Sequence, residues 1–273
     1  MLEALEFPFF QRALTAGLLA SLACGVVGTY VVVKKMASIS GGISHAAFGG
    51  VGLGYFLGFE PLLGATLFAL LGAGGISVGH HRMRYSIDTL IAILWPVGMA
   101  LGIFFISLTP GYAPDLLSYL FGSILFVPAS FLKFVAAYDV ALLIGVAIFY
   151  KELQAVAFDE EHARIMGLPV EALLMGFFTM IALAVVVLIQ IVGVILVIAL
   201  LTIPPVIARQ WAESLGKMMI LATAISALAT TLGLFIAYGL SAEFEVNIQT
   251  GPLIILLAFT MLGVSMLTRR IVR

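Results

Sequence analysis

Charged side chains make up only 10% of the 273 residues, and they nearly cancel to a formal net charge of -1. So little charge, against 63% hydrophobic residues and a mean hydropathy of +1.21, excludes a soluble globular domain of average make-up. A basic excess is missing, so nothing points to nucleic acid, and membrane topology explains the short basic clusters better. Cysteine is almost absent: Cys24 stands alone in an apolar run, which rules out an internal disulfide and leaves the redox compartment unmarked. The opening residues, MLEALEFPFF, are acidic rather than basic and lack a small-residue cleavage site, so no cleaved signal peptide is expected. Enzyme signatures are missing too. HExxH does not occur, and no phosphate-binding glycine loop is followed by Lys-Ser or Lys-Thr, so any ATP used here is bound by another chain. Ser44 and His45 are adjacent, so on a helix they point about 100 degrees apart and cannot act as nucleophile and base for one another. No fixed-period repeat or low-complexity linker interrupts the chain.

What the chain does have is apolar runs close to the roughly 20 residues a helix needs to cross hydrocarbon, without the alternation of barrel strands. The expected fold is all-α, a polytopic membrane helical bundle of about nine spans (8–10 allowed by the run lengths), forming a single transmembrane domain over residues 1–273. A first span from about Ala13 to Val33 ends at Lys34 and Lys35, which the positive-inside rule places in the cytoplasm. A second, from about Ile43 to Phe59, returns outward and is rich in glycine. A third, from about Pro61 to Gly79, comes back to His80, His81, Arg82 and Arg84. A fourth runs from Asp88 to Leu108, and the piece after TPGYAP, about residues 115–127, is too short to cross and reads as an external helix or re-entrant hairpin.

A fifth span from about Phe131 to Tyr150 delivers Lys151 to the cytoplasm. The run from Ala172 to Arg209 is too long for one span and is divided into a sixth and a seventh at a tight external turn near Gln190 and Gly193. Pro204 and Pro205 should kink or end the seventh. An eighth span begins at Lys217 and leaves near Gly239, SAEFEVNIQTG forms an external loop, and a ninth from Gly251 to Leu267 returns to Arg269, Arg270 and Arg273. The expected orientation is N-terminus outside and C-terminus cytoplasmic.

Between these spans, FDEEHARIMGLPV from Phe158 to Val170 is the one polar stretch that reads as a compact helix. Asp159 can cap it, Glu160 and Glu161 suit the positive end of its dipole, and Gly167 with Pro169 stops it. About two turns of helix are unstable alone in water, so this segment must lean on something. An ordinary connecting helix and a docking knob for a soluble partner are the two readings.

Few residues can carry chemistry. On the second span Gly50, Gly54 and Gly58 recur at intervals of four with Ala46 a turn earlier, so one face has almost no bulk. The same helix carries His45, with Gly41, Ser44 and Gly49 nearby. An intramembrane histidine is either a pathway ligand, suited to zinc, manganese or iron, or a donor to a backbone carbonyl. Asp139, about eight residues into the fifth span, either meets a cation or satisfies Tyr138 or a serine on a neighbour. His80 and His81 beside Arg82 and Arg84 read as a topology signal, and His162 as a surface histidine. Outside, Asp115, Glu243 and Glu245 either attract cations and docking partners or are solvated loop charges.

The segments RALTAG at Arg12, VVVKKMASISGGISHAAFGG from Val31, DTLIAILWPVGMALG from Asp88, LFGSIL at Leu120, FDEEHARIMGLP at Phe158 and VGVILVIALLTIPPVIA from Val192 occur in one order along the chain. Together they resemble the permease subunit of metal-uptake ABC transporters, the importers for zinc, manganese or iron. The likeness covers nearly the whole sequence and extends more faintly to the larger permeases for cobalamin and iron chelates. It implies a homodimer of permeases in the cell (inner or plasma) membrane, two cytosolic ATPase subunits and an external metal-binding protein. No cofactor is held permanently: ATP is used by the partner, and the transported ion is the cargo. It further implies that residues 159–168 are a coupling helix seated in a groove of the ATPase, with Asp159, Glu160, Glu161, Ala163 and Gly167 as its coupling residues, and that residues 115–127 form an external gate. His45 would then be a transient metal contact on a path that also involves Ser44, Gly41, Gly49 and Asp139.

Two departures stand out. Members of that family commonly carry an acidic residue four positions before the histidine, where this chain has Gly41, and Asp-x-Pro before the last span, where it has Asn247, Ile248 and Gln249 before Thr250. The expected function is therefore a non-enzymatic permease of an ATP-driven importer for a divalent transition metal. An ABC permease for an organic or chelated compound and an ATP-independent ion carrier are the alternatives.

Overall fold

The structure, a computed structural model, describes residues 2–110, 119, 122, 124–244 and 248–272. Among the described residues every regular element is helical. A 3-10 turn over Leu2–Glu6 leads into α1 (Pro8–Val33), followed by α2 (Ser38–Leu57), α3 (Pro61–Met83) and α4 (Ile87–Leu108). A single 3-10 turn, Ile124–Phe126, precedes α5 (Ala129–Ile148), then come α6 (Tyr150–Phe158), α7 (Glu160–Ile165), α8 (Val170–Trp211), α9 (Leu215–Phe244) and α10 (Thr250–Val272). Of the expected external helix over 115–127, residues 115–118, 120, 121 and 123 lie outside the described residues, and Ile124–Phe126 forms the 3-10 turn.

Local chemistry explains the boundaries. Pro61 opens α3, where its missing N–H costs nothing. Ser86 caps α4, its Oγ accepting from the Thr89 N–H at 3.1 Å. At the end of α1 the orphan Val32 carbonyl accepts from the Arg209 guanidinium at 3.3 Å.

Among the described residues seven helices, α1, α3, α4, α5, α8, α9 and α10, are long and apolar enough to cross a membrane. Helix α2 is not among them, because glycines, serines and a histidine dilute its apolar content, and α8 counts once because it runs for 42 residues. The tight turn expected near Gln190 contracts to one residue: Gly193, at φ 76° and ψ 166°, leaves helical geometry while its neighbours do not. Pro204 and Pro205 do not end the helix, which continues to Trp211. Pro205 has no N–H for the Leu201 carbonyl four residues back, and that oxygen instead lies against Gly28 of α1, where a Cβ would stand 2.5 Å from it. Helix α9 also runs further than expected, making Ser241 to Phe244 helical rather than loop.

The chain forms two compact units. One comprises residues 1–32, 117–144 and 188–273. Here Gly25 of α1 lies directly against the backbone of Thr223 in α9, and Gly233 of α9 against Ile254 of α10. Phe10 meets Phe235 edge-on with centroids 5.0 Å apart, and the Trp211 indole donates to Ser265 Oγ at 2.8 Å. The other comprises residues 33–116 and 145–187. Its centre is α2, packed backbone to backbone with α3, where Gly50 faces Gly64, and with α4, where Gly52 faces Gly102. Ser38 Oγ donates to Asp88 Oδ1 at 3.1 Å, fixing the starts of α2 and α4 together.

Candidate functional site

Helix α2 buries Gly41, Ser44, His45 and Gly49. The α4 backbone reaches it because Gly98 has no side chain: its Cα sits against the His45 carbonyl, where any Cβ would collide with backbone atoms. Gly49 is close on the same side, a Cβ there standing 3.1 Å from the Gly98 oxygen. The His45 ring, 9% exposed, stacks on Trp95 of α4 with centroids 4.6 Å apart and planes at 27°. His45 Nδ1 and Ser44 Oγ are both buried without a hydrogen-bond partner among the described residues. The same indole fills the space over Gly41, where a Cβ would lie 2.6 Å from Trp95 Cζ3. The space over Gly41 is thus closed by an aromatic ring.

Asp139 lies on α5 in the other unit. It is 3% exposed, both carboxylate oxygens lack partners among the described residues, and Cys24 of α1 is within electrostatic reach. No serine is hydrogen-bonded to it among the described residues, and a carboxylate so placed persists only as the neutral acid or opposite a cation. Among the described residues no three His, Cys, Asp or Glu side chains gather into a metal cluster.

The polar stretch folds as the short helix α7. Asp159 caps it, Oδ1 accepting from the His162 N–H at 2.9 Å. It ends with Gly167 at φ 79° and the Leu168 N–H donating to the Ala163 carbonyl at 3.1 Å, a turn for which glycine suits the left-handed geometry. The side chains divide. Ala163 is fully buried and Glu160 turns back onto its own chain. Glu160 pairs with Lys34 at the α1–α2 junction, Lys34 Nζ also donates to the Val156 carbonyl at 3.0 Å, and His80 Nε2 of α3 lies 4.0 Å from the second Glu160 oxygen. Facing outward with Asp159, Glu161 and Gly167 are three apolar side chains, Phe158, Ile165 and Met166, respectively 66%, 84% and 63% exposed. Of the external acids, Glu243 is exposed at the end of α9, while Asp115 and Glu245 lie outside the described residues.

Sequence reasoning missed Trp95, Lys34 and the apolar trio. The signal for Trp95 was a helix partner able to use the bare faces at Gly41 and Gly98. That for the trio was the placement of Phe158, Ile165 and Met166 at both ends of an otherwise charged helix.

Long apolar helices, a buried histidine on a glycine-lined helix and a capped polar helix define a multi-pass membrane protein. More particularly, the chain belongs to the ABC 3 transport family, whose pattern it matches over residues 6–269. It is 43% identical over 271 residues, covering 99% of this chain and 94% of the relative, to an uncharacterized membrane protein, slr2045, of Synechocystis. To the manganese transport system membrane protein MntC of Listeria monocytogenes it is 31% identical over 254 residues, 93% of this chain and 88% of that one. Among solved structures, PsaBC from Streptococcus pneumoniae in complex with Fab superposes with a TM-score of 0.81 at 33% identity, over 95% of this chain and 91% of that one. The chain is accordingly a transport component and not an enzyme.

Proposed function

We propose that this chain is the membrane permease of an ATP-driven importer for a divalent transition metal, working as a homodimer with two cytosolic ATPase subunits and an external metal-binding protein. It sits in the cell membrane with nine crossings, N-terminus outside and C-terminus cytoplasmic. The count adds α2 to the seven apolar helices and divides α8 at Gly193. At 1.5 Å per residue the 42 residues of α8 amount to roughly 63 Å, twice the ~30 Å of hydrocarbon. Lys34, Arg82, Arg209 and Arg269 then all fall at inner ends.

The observation that carries the reading is the two-sided character of α7. One side is anchored by Ala163 and by the Lys34–Glu160 pair, and the other presents Phe158, Ile165 and Met166 to solvent. A two-turn helix that is capped, anchored and carries three exposed apolar side chains among its charges suits a groove on a soluble partner. ATP-driven closure of the ATPases moves α7, the Lys34 tie passes the movement to the α1–α2 junction, and α2 carries His45 between outward-open and inward-open states. His45 offers a weak, transient contact, since an ion that enters must also leave.

The test is co-purification of the ATPase with the native chain and with Ile165→Glu. Loss of the ATPase from a variant that still inserts in the membrane supports the reading, and undiminished association contradicts it. Deleting residues 159–167 should act likewise. An ATP-independent carrier would be indifferent to both changes.

A further inference from the structure

Trp95 is held more tightly than packing an apolar span requires. One turn after it, Gly98 lies against the His45 carbonyl, and one turn before it, Ile91 lies against Gly42, where a Cβ would stand 2.8 Å from Ile91 Cγ2. Close approaches on both sides forbid α4 from sliding along α2. In that register the indole covers Gly41 and stacks on the His45 imidazole, and no side chain fits at position 41 while it stays there.

The consequence is chemical. Around His45 the neighbouring polar side chain on α2 is the Ser44 hydroxyl, and no cluster of acidic or sulfur ligands accompanies them among the described residues. A metal ion on the imidazole draws electron density from the ring and leaves it partly cationic. The indole face, negative by its quadrupole, stabilises such a ring without binding the ion itself. Imidazole suits zinc and iron, whereas manganese prefers carboxylate, carbonyl and water oxygens. We propose that Trp95 is a specificity-determining residue: by closing the place of an oxygen ligand and giving the metal-bound His45 ring an aromatic face, it biases the transit site toward zinc or ferrous iron and against manganese. The inference rests on the proposed transport role of His45.

The sequence has two tryptophans, so in a Trp211→Phe background Trp95 is the only fluorescent indole. In the purified complex of this chain with its ATPase, without the binding protein, zinc chloride and manganese chloride are titrated against Trp95 emission. Zinc is expected to half-saturate at no more than about a tenth of the concentration manganese needs, the order that imidazole ligation without an oxygen partner gives. His45→Ala should abolish the zinc response. In vesicles with the full importer, Trp95→Phe should keep the zinc preference, and the double variant Gly41→Asp/Trp95→Ala, which puts a carboxylate where the ring was, should erase or invert it. Equal half-saturation by the two metals, or a zinc response that survives His45→Ala, overturns the assignment, as does a double variant that transports with unchanged preference. Should no metal move through the native importer at all, the transport reading itself fails, which the two-metal comparison separates from loss of selectivity alone.

Discussion

Helices α2 and α10 are of similar length, 20 and 23 residues, and they are used in opposite ways. Helix α10 is apolar enough to be recognised as a membrane span and leaves Leu256, Phe259, Val264 and Leu267 exposed. Helix α2 fails that composition test and is buried almost throughout. Between these two helices, small residues mark the one that packs against its neighbours, and large apolar side chains the one whose face stays exposed. A polar group such as His45 is tolerated on the first kind, because bare faces let neighbouring backbones and an aromatic ring shield it.

The sharpest way to break the comparison is to give α2 bulk. Gly50→Leu drives a side chain into the Gly64 backbone, which cannot yield, whereas Gly75→Leu on α3 meets open space. The first should abolish accumulation of folded chain in the membrane, and the second should change stability by no more than about 0.5 kcal/mol. Size-exclusion profiles of the two variants in detergent decide it.

Next in size is the free side of α7. Ile165→Glu should weaken ATPase association by at least about 2 kcal/mol, the range of an interface anchor, as read by binding isotherms on the assembled complex. Smaller again is Lys34→Met, which leaves Glu160 without its cation. A loss of roughly 1–3 kcal/mol of local stability should appear as faster hydrogen exchange in α7, with ATPase binding retained and less transport per ATP. The smallest effect belongs to α10. Leu256→Ala, at a position 61% exposed, should shift thermal stability within about 0.5 kcal/mol; a larger loss would mean that this face packs against protein rather than lipid.

Much of the fold was legible because the bilayer imposes it. Basic turns at Lys34, Arg82 and Arg269 punctuate the spans, and Asp159 and Gly167 frame α7 as their capping chemistry demands. Composition could not reveal that the helix continues past the proline pair to Trp211, or that the freed Leu201 carbonyl lies against Gly28 of α1. The candidate site was legible only in part. His45 and its glycines stood out as a rare polar group on a bare face. Trp95 lies fifty residues further on and meets His45 only through the register set by Gly98. Glu160 read as an acid at the positive end of the short helix because nothing local ties it to Lys34, more than a hundred residues away.

The central claim, that ATP hydrolysis in a partner drives a metal ion past α2, is tested most directly by uptake into vesicles holding this chain with its ATPase and binding protein. Zinc, manganese and iron are compared for the native chain and His45→Ala, with and without ATP. The account predicts ATP-dependent uptake of a divalent metal that falls sharply in His45→Ala while the ATPase stays bound. Uptake that persists without ATP and follows the membrane potential, or that is untouched by His45→Ala, would contradict it.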